Sequence, residues 1–328
     1  MSSRPGLVSD EEVGPVEILE GGVVRVTLPM PSKPGHVHSY LLPDADGWTV
    51  VDTGLGLPDA QRRWSRILAQ LERPVARIFI THFHPDHVGA AADLAELTAA
   101  PVYQGALDYE QCERSWTSAD RQDVMWAWLR DNGVPDAWEQ GMRSFGAMYQ
   151  RMTRYAPEPV PVEAGDRLGG WELVAAPGHA DGQLMLLRNG ILIAGDHLLP
   201  RISPAIGLWP DSSPDPLGDY LTALEELPKW APRLALPGHG DPLEDPLRRA
   251  VELIEHHRER LDKLASALSH EQRTAYELSF PLFGADLTPA ARRFAVTETA
   301  SHLERLVREE RADRSSREGF IVYGRAAH

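Results

Sequence analysis

The run Thr81-His82-Phe83-His84-Pro85-Asp86-His87-Val88-Gly89 constrains this chain more than any other stretch. It puts three imidazoles and a carboxylate directly after the strand-like run Val75-Ala76-Arg77-Ile78-Phe79-Ile80. Side chains at i and i+2 of an extended segment share a face, so His82 and His84 can bind one ion together while Phe83 turns into the core. Pro85 suits the first position of a helix that begins near Asp86 and runs through Gly89-Ala90-Ala91. The change of direction lets Asp86 and His87 face a second ion beside the first. Neutral imidazole and carboxylate are ligands that a borderline divalent ion such as zinc accepts. A polar loop of idle histidines is the bland alternative, and the HxHxDH spacing after a strand outweighs it.

Three further ligand types occur in similar settings, each after an apolar run and in a glycine-containing turn. His179 follows Leu173-Val174-Ala175-Ala176-Pro177-Gly178, Asp196 ends Ile191-Leu192-Ile193-Ala194-Gly195, and His239 follows Leu234-Ala235-Leu236-Pro237-Gly238. Strands that finish in such turns gather their ligands along one sheet edge.

With Asp52-Thr53-Gly54 after Trp48-Thr49-Val50-Val51, then HFHPDH, PGH, GDH and PGHG in this order, the sequence resembles the metallo-β-lactamase superfamily, and within it the glyoxalase II-like hydrolases. The resemblance spans roughly residues 20 to 240. It implies a four-layer αββα sandwich in which His82, His84 and His179 hold one metal, Asp86, His87 and His239 the other, and Asp196 bridges. Asp52 would orient ligands through hydrogen bonds. The implied cofactor is a pair of divalent ions, zinc foremost, with iron or manganese as alternatives. The family often has Asn in the early strand that here reads His36-Val37-His38-Ser39-Tyr40. His36 and His38 are therefore either substrate contacts or exposed loop histidines, and His197, beside Asp196, is equally open.

A chain of 328 residues exceeds the usual single domain. The expected division is a catalytic unit over 1–245, with a helical insertion at about 105–156, and a small, mostly helical module over 246–328. That module has helices over 246–268, near 271–278 and over 289–310, then a turn and the strand Phe320-Ile321-Val322-Tyr323, an order that resembles the winged-helix-like domain often fused to these hydrolases. Its HHRER stretch and Ser301-His302-Leu303-Glu304-Arg305-Leu306 fit the resemblance. The net charge of −15 divides into −16 over residues 1–245 and +1 over residues 246–328, so the first part should repel polyanions at long range. Arg311, Arg314 and Arg317 could touch nucleic acid, but packing or homodimerisation is the favoured role of the module. The lone Cys112 permits no internal disulfide and fits a cytoplasmic setting. The polar, acidic opening stretch has no apolar core for a signal peptide, and no run is long enough to span a membrane.

The insertion holds Trp116, Trp126, Trp128 and Trp138 together with four of the seven methionines. It is either an ordinary packed helical layer or a cap that receives an apolar substrate tail. The proline-rich segment 198–210, containing Ile206 and Trp209, is expected to form another pocket wall. Two adjacent dications would supply a bridging hydroxide at neutral pH and polarise a carbonyl, with Asp86 holding the hydroxide in line. No general acid other than Asp86 is evident, so a leaving group that departs unprotonated is favoured. A thiolate meets that need better than an alkoxide, the parent thiol pKa being about 8.5. The expected reaction is hydrolysis of a thioester, or of a lactone or activated ester, of an apolar small acyl molecule. An RNA-processing endonuclease, a β-lactamase and a non-catalytic metal-bearing sensor are the alternatives, the last opposed by the full set of seven ligands.

Overall fold

The computed structural model describes residues 14–326; most of the acidic opening stretch, residues 1–13, lies outside the described residues. Seven strands form the first sheet in chain order: β1 Val16–Ile18, β2 Val24–Pro29, β3 His36–Pro43, β4 Trp48–Val51, β5 Val75–Ile80, β6 Val102–Gly105 and β7 Val160–Val162. Five more, β8 Arg167–Leu168, β9 Trp171–Ala175, β10 Leu184–Arg188, β11 Ile191–Gly195 and β12 Leu234–Pro237, form a second sheet in the order β12-β11-β10-β9-β8.

Alternation along these strands fixes the layers, because successive side chains point to opposite faces. Tyr40, Leu42, Val51 and Phe79 of the first sheet meet Leu173, Leu184, Leu186, Ile191, Ile193 and Leu236 of the second in one buried cluster. The intervening Leu41, Val50, Ile78 and Ile80 point outward, onto Trp64 and Ile67 of α1 (Ala60–Ala69) and Leu94 of α3 (Ala91–Thr98), with Val88 of the short α2 (Pro85–Val88) beside them. Val174, Met185, Leu192, Ala194 and Ala235 leave the second sheet on its other side. The result is an αββα sandwich, as expected. The helix that was to run through Gly89 is broken there into α2 and α3. Ala90 N instead donates to Gly54 O, and a Cβ on Gly89 would lie 2.2 Å from Pro85 O.

The insertion folds as α4 Ala106–Cys112, α5 Arg121–Asp131 and α6 Glu139–Arg151; beyond it come α7 Pro216–Glu226, α8 Pro246–Ala267, α9 Ala275–Phe283 and α10 Pro289–Arg308. Asp245 caps α8 by accepting from Arg248 N, with Pro246 at the first helical position. Thr274 and Glu277 form a capping box on α9, which continues through Pro281 rather than ending near 278. The second sheet's outer face, α5 to α7 and the C-terminal helices share one continuous cluster, from Leu192 and Met185 through Leu224 and Leu253 to Val296 and Leu303.

Residues 311–319, read from sequence as a turn, contain a strand. β13 Ala312–Arg317 pairs antiparallel with β14 Phe320–Arg325 through a two-residue turn at Glu318 and Gly319, both at positive φ. β13 is exposed from Asp313 onward and polar on both faces, so it lacks the alternation that reveals a strand.

Candidate metal centre

Strand direction gathers the ligands. β4 and β5 are parallel, as are β11 and β12, and β9 runs with β11 because each pairs antiparallel with β10. Asp52, His82, His179, Asp196 and His239 all follow C-terminal ends of these strands, so they reach one edge. Three bonds close the two sheets together there: Leu184 N to Thr81 O (3.0 Å), His38 N to Gly238 O (2.7 Å) and Tyr40 Oη to Pro237 O (2.7 Å). A register shift between Ile193 and Gly195 ends β11 in a bulge immediately before Asp196. Gly238 is required by proximity, since a Cβ would lie 2.4 Å from Asp196 Oδ1 and 2.7 Å from His87 Cε1.

The seven expected ligands converge as three overlapping groups: His82, His84 and His179; His82, His87 and Asp196; and Asp86, His87 and His239. Within each group the ligand atoms lie within 4.8 Å of one another. Asp196 occupies the middle. Its Oδ1 is 3.3 Å from His87 Nε2, and its Oδ2 is 3.4 Å from His239 Nε2 and 3.6 Å from His179 Nε2. Asp86 Oδ2 stands 3.2 Å from His239 Nε2. The Nε2 atoms of His82, His87 and His179 and Oδ1 of Asp196 are buried without a hydrogen-bond partner. Buried polar atoms left in that state are costly, and dications set among them would satisfy the orphaned lone pairs together, so the donor set fits divalent metal.

The opposite ring nitrogens are held. His87 Nδ1 donates to Asp52 Oδ2 (2.8 Å), His179 Nδ1 to Ala205 O (2.9 Å) and His239 Nδ1 to His36 O (2.7 Å). Thr81 Oγ1 donates to Asp52 Oδ2 (2.8 Å) and is thereby free to accept from His82 Nδ1 (3.0 Å). In the neutral ring that binds metal, each bond fixes the tautomer in which Nε2 carries a lone pair toward the cluster. Asp52, at φ 58°, also accepts from Thr81 N (2.8 Å), and its carbonyl accepts from Ser39 Oγ (2.8 Å).

Burial, then repulsion from His179, holds His84 down at about 3, and burial with His87 and His84 nearby keeps His82 well below its ordinary value. Both are neutral, as ligands must be. On the other side burial is overcome: Asp196 and its companion carboxylates raise His87 and His239, which in turn hold Asp196 low. Without ions, imidazolium and carboxylate compensate each other there, a role that dications would assume.

The remaining sequence expectations are placed less simply. His36 and His38 are neither free loop histidines nor pointed at open space. His36 Nε2 accepts from Gly240 N (3.2 Å), and buried His38 donates through Nε2 to Gly240 O (2.9 Å) and pairs through Nδ1 with Thr27 Oγ1 (3.1 Å), so both brace the turn that carries His239. His197 is fully buried, its ring 5.1 Å from that of Tyr220. Trp126 is buried and Trp128 half-buried in the cluster shared with the C-terminal helices, which also takes Ile206; these are packing positions rather than an open pocket wall. Trp209 is half-buried against Phe294 of α10 (5.8 Å between rings).

Sequence reasoning missed several supports. Thr81 lay within the motif but its hydroxyl was not assigned, and the carbonyls of Ala205 and His36 have no side-chain signature at all. Asp108, raised to about 7 by burial, accepts from Phe83 N (2.9 Å) and pins the ligand loop. Tyr149 reaches Ser32 Oγ (2.7 Å), and its pKa is raised by burial and, further, by the Asp86 carboxylate.

Comparison with known proteins agrees with this geometry. The family model described as Metallo-beta-lactamase superfamily matches residues 32–239, and one described as Metallo-beta-lactamase-like, C-terminal domain matches 261–326. A probable metallo-hydrolase of Bacillus subtilis (strain 168) is 27% identical over 318 residues, covering 92% of this chain and 97% of that protein. An atrochrysone carboxyl ACP thioesterase of Emericella nidulans is 23% identical over 247 residues, 74% of this chain and 64% of that one. The crystal structure of a metallo-beta-lactamase family protein from Thermus thermophilus superposes with a TM-score of 0.82 at 32% identity, covering 94% of this chain and 100% of that one. Sandwich, ligand edge and family model together establish that the chain belongs to the metallo-beta-lactamase superfamily.

Proposed function

We propose that this protein is a binuclear metal-dependent hydrolase of thioesters, or of similarly activated esters and lactones, with an apolar acyl portion. The observation that carries the reading is the set of buried, unpartnered lone pairs of His82, His87, His179 and Asp196, each imidazole locked from behind so that it can only face inward. His82, His84 and His179 would hold one ion, Asp86, His87 and His239 the other, and Asp196 both. Divalent ions, zinc foremost, supply acidification of water near neutral pH and polarisation of a carbonyl when bound.

The protein's own part is orientation. Asp52 and Thr81 fix His87 and His82, and Gly238 admits both Asp196 and His87 at close range; Asp86 would orient the attacking water. The carboxyl of Asp108, although raised, is already engaged by Phe83 N and Gln104, so it is not free to protonate a leaving group. A thiolate, from a thiol of pKa about 8.5, requires no such proton. A relative named as a thioesterase supports this choice. RNA cleavage is disfavoured by the net charge of −15 and by the pairing of Arg311 with Asp262 and of Arg314 with Glu304. A cytoplasmic setting is part of the proposal, supported by the lone, buried Cys112; no helix among the described residues is long and apolar enough to cross a membrane.

The test is metal content measured alongside turnover of acyl thioesters, lactones, nitrocefin and single-stranded RNA. About two ions per chain and preferential thioester cleavage are expected; hydrolysis of RNA or nitrocefin with no ester turned over would overturn the reading.

A further inference from the structure

Arg293 stands out among the arginines of α10. Arg292 donates to Ser279 Oγ (2.8 Å) and to the Gly284 carbonyl (2.6 Å), and Arg305 pairs with Asp215 (3.1 Å) and Glu309 (2.9 Å). Arg293 makes no hydrogen bond or ion pair among the described residues. Its Nε is buried without a partner, and its guanidinium lies 5.5 Å from the Trp209 ring centre. Arg121 of α5, whose charge acts on it, is already engaged by Asp211. Burial, then Arg121, lowers Arg293 only to about 10, so it stays charged at neutral pH with no compensating carboxylate. Arg293 is half-buried overall, so its Nε–H is the group left buried without a partner. Stacking on a ring meanwhile leaves its in-plane N–H groups available for forked donation.

Its position connects it to the metal centre. Ala205 O holds His179, and three residues later Leu208 N donates to Thr297 O (3.0 Å), one turn along α10 from Arg293. The chain from Ala205 to Trp209 can span at most roughly 14 Å. Rings run between the two places. Trp209 meets Phe294 at 5.8 Å, Phe294 meets Phe145 at 6.0 Å, and Phe145 meets Tyr149 at 4.9 Å, the tyrosine on which the Asp86 charge acts. Phe294 is 38% exposed, Trp209 and Phe145 are half-buried and Tyr149 is buried, so the row reaches solvent at Phe294.

We propose that Arg293, presented by α10 beside Trp209 and Phe294, binds an anionic group, phosphate or carboxylate, on the part of the substrate that does not react. The insertion, the 198–210 loop and α10 each contribute to this seat, so the C-terminal helices act in substrate selection as well as in covering the second sheet. The inference rests on the thioester reading only for the identity of the bond cleaved.

The test uses one acyl group, hexanoyl, on three thiols: coenzyme A for phosphate, glutathione for carboxylate and N-acetylcysteamine for a neutral carrier. Metal-loaded wild type, Arg293→Ala and Arg293→Lys are compared. For the anionic thioester that wild type prefers, KM should rise roughly 10- to 100-fold in Arg293→Ala with kcat nearly unchanged, reflecting a lost charge-assisted contact. Arg293→Lys should fall between, and the N-acetylcysteamine ester should be indifferent to either change. The preferred carrier identifies the anion. Binding of S-hexyl-coenzyme A and S-hexylglutathione, measured by calorimetry on the same proteins, gives an answer independent of turnover. If no thioester is cleaved, the thioester reading fails and these isotherms alone decide the role of Arg293. Equal losses on all three esters, unchanged kinetics, or thioether binding that is absent or indifferent to Arg293 would overturn the proposal.

Discussion

At the sheet edge, His82, His87, His179 and His239 each commit one ring nitrogen to a fixed acceptor at 2.7–3.0 Å. Along the seam of the insertion and the C-terminal helices, Trp126, Met142, Val296 and Leu303 lie in an apolar cluster. The first region is specified by direction, the second by volume. A hydrogen bond turned away disables a ligand without opening a cavity, whereas a missing ring opens a cavity without disturbing a lone pair. Function and stability should therefore separate between the two regions.

The most severe test of that separation is Asp196→Ala. Bound metal should drop from about two ions per chain to about one or fewer while circular dichroism stays native-like; unchanged stoichiometry would remove Asp196 from the centre. Asp52→Asn, which touches no ion, should weaken metal affinity about 10- to 100-fold through His87 and Thr81, read by competition with a chelator. On the other side, Trp126→Ala should cost about 3–5 kcal/mol of stability in denaturant unfolding and leave metal affinity intact. A loss confined to long-chain substrates, with stability unchanged, would restore Trp126 to the pocket wall and break the comparison.

A subtler contrast involves Glu298, buried on α10 and ion-paired with Arg260 of α8. Burial outweighs that pairing and raises its carboxyl from 4.5 to about 7. The folded protein therefore keeps this proton to higher pH than the unfolded chain does. The associated stability is complete below about 4.5 and is lost as pH rises through about 7. Glu298→Gln should flatten the decline between pH 5 and 8 in urea unfolding; an identical slope in the variant would place the titration elsewhere.

This division also explains what the sequence made legible. Ligands at strand ends are readable because alternation identifies the strand and the turn chemistry identifies its end, as at Ile80-Thr81-His82 and Gly195-Asp196. Carbonyl acceptors such as Ala205 O leave no trace in a residue's identity. Trp126 and Trp128 illustrate an ambiguity instead: a tryptophan reads the same whether it faces a substrate or another helix, and the placement of α5 in the apolar cluster shared with α8 to α10 favours the packed layer. The strand at 312–317 was hidden because a strand solvated on both faces needs no apolar period.

Gly238 also bears on how freely such a sequence can drift. Because any Cβ there would press on Asp196 Oδ1 and His87 Cε1 at once, the smallest substitution would displace two ligands, one after β11 and one on α2, in a single mutational step. No one compensating change elsewhere could return both. Lineages that keep the chemistry should thus hold this codon fixed while the surface around it diversifies, and a saturation library at position 238 should recover glycine alone among active clones.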